Sequence, residues 1–138
     1  MRRLSDIICN QEPLILLQSE TVKSACEQMS RRKAGSVLVT DKNGALVGIF
    51  TGRDAVRRVL ATGRNSETPL AEVMTAGPVT MTPEKTAIDA LRLMWDGGFR
   101  HLPLVKDKEI LGVISRGDFE SAEQLRLDEE RQLWEHMR

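Results

Sequence analysis

The chain has few aromatic residues and no excess of either charge. Phenylalanine, tryptophan and tyrosine together make up 4% of its 138 residues, and tyrosine is absent. Hydrophobic residues still reach 41%, so the core is expected to be mainly aliphatic, as in small α/β units. Lysine and arginine number 20, and so do aspartate and glutamate. A chain without net charge has no general electrostatic attraction for nucleic acid, and we expect no nucleic-acid partner.

Long hydrophobic runs and a cysteine framework are also missing. The longest aliphatic run, residues 14–17, is far too short to cross a bilayer. No apolar stretch of signal-peptide length follows the basic residues at the start. Cys9 and Cys26 are isolated from each other, as reduced thiols of a cytosolic protein commonly are. The sequence therefore predicts a cytoplasmic protein with no membrane partner.

Groups that carry catalysis or bind metals are scarce. The two histidines, His101 and His136, lie far apart, and a metal site needs at least three converging ligands. No Ser-His-Asp, Cys-His or paired-carboxylate arrangement stands out. We therefore expect no catalytic residues, no metal, and a protein that is not an enzyme.

The most informative feature that is present is an internal duplication. Residues 47–54 and 111–118 both read apolar-Gly-apolar-apolar-hydroxyl-x-x-Asp. The match extends upstream, since Thr21 recurs as Thr86 and residues 4–8 resemble residues 70–74. A long internal repeat of this kind indicates a duplicated supersecondary unit.

Apolar periodicity and turn residues predict the same β-α-β-β-α order in both copies. In the first copy we predict strands over residues 14–17, 37–39 and 46–50, and helices over residues 21–33 and 53–61. In the second copy we predict strands over residues 78–81, 102–105 and 110–114, and helices over residues 86–97 and from residue 117 onward. The fold class is therefore α/β (α+β), with two tandem repeats and a C-terminal helical extension.

The polar segment 62–68 separates the copies. We assign residues 1–66 to repeat 1 with its N-terminal lead-in, residues 67–120 to repeat 2, and residues 121–138 to a C-terminal helix. A unit of about 60 residues buries too little surface to be stable alone. Two copies packed face to face would cover each other's exposed sheets.

In each copy a hydroxyl residue ends the last strand, and an aspartate follows three positions later. We call this segment the strand exit. Thr51 with Asp54, and Ser115 with Asp118, fit a capping box that begins a helix. The same groups also suit a nucleotide, because helix N-termini attract phosphate and an ionised aspartate can accept both hydroxyls of a ribose diol. The two interpretations are compatible, since a capping carboxylate keeps free lone pairs.

From residue 4 to residue 120, the chain resembles a tandem pair of cystathionine-β-synthase (CBS) domains, often called a Bateman module. The resemblance is carried by Leu-x-x-Val-Met-Thr at residues 70–75, Gly-Ser-Val-Leu-Val at 35–39, Arg-His-Leu-Pro-Leu-Val at 100–105, and both strand exits. These elements follow the same order in each copy, which makes the resemblance specific.

The resemblance implies a regulatory module that binds adenosine-containing ligands such as AMP, ADP, ATP, NAD(H) or S-adenosylmethionine in clefts between the repeats. It also implies a homodimer and a regulated partner protein. In this family the aspartate holds ribose and the hydroxyl residue lies near phosphate. Carried onto this chain, the ligand-binding residues are Gly35, Ser36, Thr51, Arg53, Asp54, Arg100, His101, Leu102, Pro103, Ser115, Arg116 and Asp118. The alternative is a non-catalytic dimerisation or protein-interaction module with vestigial ligand sites.

The two copies differ where a ligand would be held. The first has Gly35-Ser36 where the second has Arg100-His101, so only the second offers a cation and an imidazole. This difference predicts a better site in the second copy. The tail, residues 119–138, is predicted to be a charged helix of about 30 Å. Its apolar end (Leu133, Trp134, Met137) would pack on its own domain or contact a second subunit.

Overall fold

The computed structural model describes residues 1–136, which form two compact units. Unit I comprises residues 12–79, and unit II combines residues 1–11 with the chain from Thr80 onward. The predicted boundaries, 1–66 and 67–120, followed the order of the repeats. The structure divides the chain differently, because each lead-in segment belongs to the unit formed by the other repeat.

Unit I is a four-stranded sheet with two longer helical segments and a 3₁₀ helix, Leu70–Glu72. Its strand order is β1-β2-β3-β4, with β1 parallel to β2 and the other neighbours antiparallel. The strands are β1 (Ile15–Leu17), β2 (Ser36–Thr40), β3 (Leu46–Thr51) and β4 (Thr75–Ala76). The helices are α2 (Val22–Arg32) and α3 (Gly52–Asp54), and α3 continues as a π-helix over Ala55–Leu60.

Unit II is a two-stranded antiparallel hairpin covered by helices. The strands are β5 (His101–Lys106) and β6 (Glu109–Ser115). The helices are α1 (Leu4–Ile7), α4 (Ala87–Gly97) and α5 (Ser121–His136). Thr86 caps α4, and its capping box with Asp89 is confirmed. Together the units confirm the predicted α/β class and the C-terminal helix.

Two predicted elements of the second copy are wrong. The strand over residues 78–81 reduces to Met81, which forms an isolated parallel bridge with Leu104. Pro78 has no backbone N–H to offer a ladder. The helix from residue 117 onward is interrupted, since Phe119 has extended backbone angles (φ −86°, ψ 139°) and α5 begins at Ser121. The Phe119 side chain is buried in the core of unit II.

The lead-in segments are exchanged between the two cores. Leu4 and Ile8 are buried among residues of α4, β5 and β6, although they open the first copy. Leu70 and Val73, which open the second copy, are buried among residues of α2, β2 and β3. Burying each leucine contributes about 1.5–3 kcal/mol. The exchange therefore makes the lead-ins part of the stability of both units.

A glycine in each hairpin admits the lead-in that packs there. A Cβ on Gly48 of β3 would lie 2.3 Å from the sulfur of Met74. A Cβ on Gly112 of β6 would lie 2.7 Å from Gln11 Oε1 and 2.9 Å from Ile8 Cγ2. The glycine that the two copies share is thus required by close approach of the lead-in.

The two copies end their first helix in the same way with different residues. Lys33 (φ 54°) ends α2 and Gly98 (φ 70°) ends α4, both in the left-handed conformation. In each copy the next residue also donates back into the last turn, Ala34 to Met29 and Phe99 to Met94. Glycine suits this position because it has no Cβ to strain.

Replacing Lys33 with glycine is expected to raise the free energy of unfolding by about 1 kcal/mol, because a left-handed conformation costs an ordinary residue about 1–2 kcal/mol. Gly98→Ala is the matched control and should lower it by a similar amount. Urea unfolding monitored by circular dichroism measures both. A loss of stability in Lys33→Gly would contradict the left-handed cap.

Candidate functional site

The exit of the second repeat brings five predicted site residues to one end of the hairpin. His101, at the start of β5, pairs with Ser115, at the end of β6. The carbonyl of Arg100 accepts a hydrogen bond from the N–H of Arg116 (3.2 Å). Asp118 follows in a 3₁₀ turn, Arg116–Asp118. The hairpin register therefore places a cation, an imidazole, a hydroxyl and a carboxylate close together.

The Asp118 carboxylate uses one of its two oxygens to hold the turn. Its Oδ2 accepts hydrogen bonds from the backbone N–H of Ser115 (2.7 Å) and from Ser115 Oγ (3.2 Å). No donor within residues 1–136 reaches Oδ1. Asp118 is half-buried. A carboxylate can accept about four hydrogen bonds, so Asp118 retains acceptor capacity for a ligand.

The corresponding carboxylate of the first repeat is far more enclosed. Asp54 is 7% exposed. Its Oδ2 accepts from the N–H (3.0 Å) and the hydroxyl (3.2 Å) of Thr51, whose Oγ1 in turn accepts from Asp54 N–H. Its Oδ1 accepts from Thr75 Oγ1 (3.4 Å) and pairs with Arg58 Nε (3.4 Å). The capping interpretation is confirmed here, and the carboxylate is occupied on both oxygens.

The Arg116 side chain is directed to the helices of unit II. Its guanidinium lies 5.1 Å from the ring centre of Trp95 and donates to the carbonyl of Met94 (3.3 Å). Arg131 contacts the same ring at 4.7 Å. The resemblance assigns Arg116 to a ligand, and in the structure its charge forms a cation–π contact with Trp95 of α4.

Other predicted site residues divide between exposed and core positions. Leu102 is fully buried and packs in the core of unit II. Pro103 is also buried, as is Ser36 of β2. Gly35, Arg53 and Arg100 are exposed. Leu102 therefore supports the strand, and its side chain is not offered to a ligand.

Arg2, which the sequence did not mark as functional, fixes the turn that holds Asp118. Its guanidinium donates to the Asp118 carbonyl (2.8 Å) and forms a bidentate pair with Glu123 (2.7 and 3.3 Å). The hydrogen bond to Glu123 raises the pKa of Arg2. Burial opposes ionisation of Glu123, but its bonds with Arg2 and the Glu120 backbone outweigh burial and lower its pKa. No local motif links residues so distant in sequence.

The family of the chain follows from its two repeats. The family model for the CBS domain matches residues 4–61 and 70–123. The chain belongs to the CBS domain family. It carries a tandem CBS module, which is in general a regulatory module.

Individual relatives support this membership. A CBS domain-containing protein of Arabidopsis thaliana is 39% identical over 102 residues, covering 73% of this chain and 19% of the relative. The chain thus spans about a fifth of that relative's length. A Bacillus subtilis CBS domain-containing protein is 33% identical over 100 residues, covering 72% of this chain and 71% of the relative.

A solved structure shares the fold. A CBS domain protein from Pyrobaculum aerophilum, crystallised in complex with AMP, superimposes with a TM-score of 0.82 at 24% identity. The match covers 91% of this chain and 98% of the other.

The described part of this CBS pair offers neither a cluster of metal ligands nor a membrane span. Within residues 1–136, no three His, Cys, Asp or Glu side chains converge on a position that could hold a metal ion. No described helix is long and apolar enough to cross a membrane.

Proposed function

We propose that this CBS pair is a non-catalytic regulatory module that binds an adenosine-containing nucleotide at the strand exit of unit II. The observation that carries the proposal is the open oxygen of Asp118, next to Ser115 and beside the start of β5. The candidate ligands are AMP, ADP, ATP, NAD(H) and S-adenosylmethionine. Binding requires no metal in this proposal.

The chemistry of the exit matches two parts of such a ligand. Asp118 Oδ1 has the lone pairs to accept hydrogen bonds from the two hydroxyls of a ribose. Arg100 is exposed and carries a charge that suits phosphate oxygens, and Ser115 adds a hydroxyl. Arg2 steadies the turn through the Asp118 carbonyl, so the carboxylate is held before a ligand arrives. The AMP complex of the Pyrobaculum protein supports the ligand class by analogy of fold.

The cell compartment and the assembly are part of the same proposal. Cys9 and Cys26 are unpaired, which fits the reducing cytoplasm. Burial raises the pKa of the Cys26 thiol, so Cys26 stays protonated at neutral pH. We propose that the module works as a homodimer and passes ligand occupancy to a partner protein.

A second candidate is a module that only mediates protein contacts. It is favoured by α5, on which Leu125, Leu133 and Trp134 are 61%, 62% and 69% exposed. Met137, which completed the predicted apolar patch, lies outside the described residues. Exposed apolar side chains that cluster on one element can mark an interaction surface.

A thermal-shift panel with AMP, ATP, NAD(H) and S-adenosylmethionine distinguishes the two functions. A ligand at about 100 times its Kd adds roughly 2.7 kcal/mol of stability. A shift with at least one of them is expected from a nucleotide sensor. A chain that shows no shift with any ligand, yet sediments as a dimer, would favour the interaction module.

Asp118→Ala is expected to weaken the ligand found in that panel by about 1.5–3 kcal/mol, the usual contribution of hydrogen bonds to a charged group. Isothermal titration calorimetry measures the change in Kd. Glu129→Ala, which removes an exposed carboxylate on α5, is the matched control and should bind as the wild type does. Unchanged affinity in Asp118→Ala would assign Asp118 to the capping turn alone.

A further inference from the structure

Both oxygens of the Asp54 carboxylate are already in contact with donors of unit I. A carboxylate offers about four lone-pair sites. Two donors of Thr51 occupy Oδ2, while Thr75 Oγ1 and Arg58 Nε occupy Oδ1. The side chain is also 10% exposed, so water does not compete strongly for these contacts.

Arg58 and Thr75 also connect Asp54 to the segment between the repeats. Thr75 belongs to β4, which pairs with β3 at Gly48 and Ile49. Arg58 Nη1 donates to the carbonyl of Met74 (2.9 Å), the residue before Thr75. Thr75 is held by its place in β4, and Arg58 is held by its hydrogen bond to the carbonyl of Met74. A ligand hydroxyl that approached Oδ1 of Asp54 would have to displace both side chains.

The second copy lacks both of these donors. In the second copy the helix is interrupted at Phe119, so the segment after Asp118 does not form the helical turn that brings Arg58 to Asp54, and the residue four positions after Asp118 is Ala122. Aligning Met74 with Ile8 places Cys9 at the position of Thr75. Alanine has no side-chain donor, and a cysteine thiol is a weak one. This difference explains why donors contact Oδ1 of Asp54, whereas no described donor reaches Oδ1 of Asp118.

We propose that Arg58 and Thr75 hold the Asp54 carboxylate in the fold, an arrangement that we call the lock. This chain therefore binds one nucleotide, through Asp118, and keeps a latent second site at Asp54. The inference rests on the proposed function for its ligand. The lock itself is a property of the chain without ligand. It predicts that the two aspartates, although they occupy equivalent positions of the repeat, have different roles: Asp54 stabilises unit I and Asp118 contacts the nucleotide.

Titration of the full chain with AMP tests the stoichiometry. The wild type is expected to bind one AMP per chain, and Asp118→Ala to lose at least tenfold in affinity. The Arg58→Met/Thr75→Val variant removes both donors while keeping similar side-chain volumes, and we expect it to bind two AMP per chain. Adding Asp118→Ala to that variant should return it to one. Two AMP per wild-type chain, or binding that survives Asp118→Ala undiminished, would overturn the single-site inference.

Stability without ligand tests the lock separately. Asp54→Asn should lower Tm by roughly 5 °C more than Asp118→Asn, because it disturbs three hydrogen bonds to the buried Asp54 carboxylate and its ion pair with Arg58. Equal shifts would overturn the lock whatever the ligand. If AMP binds to no variant while Asp54→Asn is the less stable, the lock holds and the proposed nucleotide function fails. If Arg58→Met/Thr75→Val does not fold, the wild-type stoichiometry and Asp118→Ala still decide the number of sites.

Discussion

Leu4→Ala is expected to destabilise the chain by about 3 kcal/mol, within the range for leucine truncations that leave a cavity. Leu4 is fully buried and packs with α4, β5 and β6, although about 80 residues of sequence intervene. The surrounding side chains belong to regular elements and can close the cavity only in part. Urea unfolding followed by circular dichroism measures the loss.

Hydrogen exchange locates the effect of Leu4→Ala. Amides of β5 and β6 should lose protection, while those of β2 and β3 in unit I should keep it, because local stability follows local packing. Leu17→Ala is the matched control, since Leu17 is 46% exposed and should cost less than about 1 kcal/mol. Loss of protection in β2 and β3 alone would mean that the lead-in packs in its own repeat.

Gly112→Val is expected to cost about 3 kcal/mol, at the upper end of the usual range for overpacking. The added Cβ would lie 2.7 Å from Gln11 Oε1, 2.9 Å from Ile8 Cγ2 and 3.0 Å from Ile8 Cβ. Ile8 is branched at Cβ and cannot turn aside. Gln11 accepts from the N–H of Val113 (2.6 Å) and donates to its carbonyl (2.8 Å), and moving it would leave both backbone groups unpaired.

Gly52→Val is the control for Gly112→Val. No atom lies within 4 Å of a Cβ built on Gly52, and the residue is exposed at the start of α3. Chemical denaturation should show a change of less than about 1 kcal/mol for it. Similar losses at both positions would contradict contact with the lead-in as the cause of the cost at Gly112.

Much of the secondary structure could be predicted from local signals. Thr86 with Asp89 identified the start of α4, and the apolar spacing identified its buried face. The prediction of a strand over residues 78–81 was wrong because the apolar pattern takes no account of the missing backbone N–H of Pro78. The prediction of a continuous helix after Asp118 was wrong because the Phe119 side chain packs in the core of unit II. That contact involves residues distant in sequence, so a local pattern does not show it.

In the candidate site, too, some features could be predicted from the sequence and others could not. The repeat identified Asp54 and Asp118 as equivalent positions, and the residue types of the Arg100-His101 pair were enough to distinguish the second copy from the first. For Arg116 the sequence gives no sign of the ring of Trp95, which lies 5.1 Å from its guanidinium. Thr75 was missed because its contact with Asp54 depends on the path of β4, whereas Arg58 lies only four residues after Asp54 along the same helical segment.

The sequence by itself determined the duplication, the α/β class, the CBS family and the two strand exits with their aspartates, because these follow from short-range patterns that recur in both copies. Only the tertiary structure decided which core receives each lead-in and which aspartate keeps a free oxygen. An apolar pattern says that a face must be buried but not against what. A carboxylate's availability likewise depends on donors brought to it from elsewhere in the chain, as Thr75 is brought to Asp54.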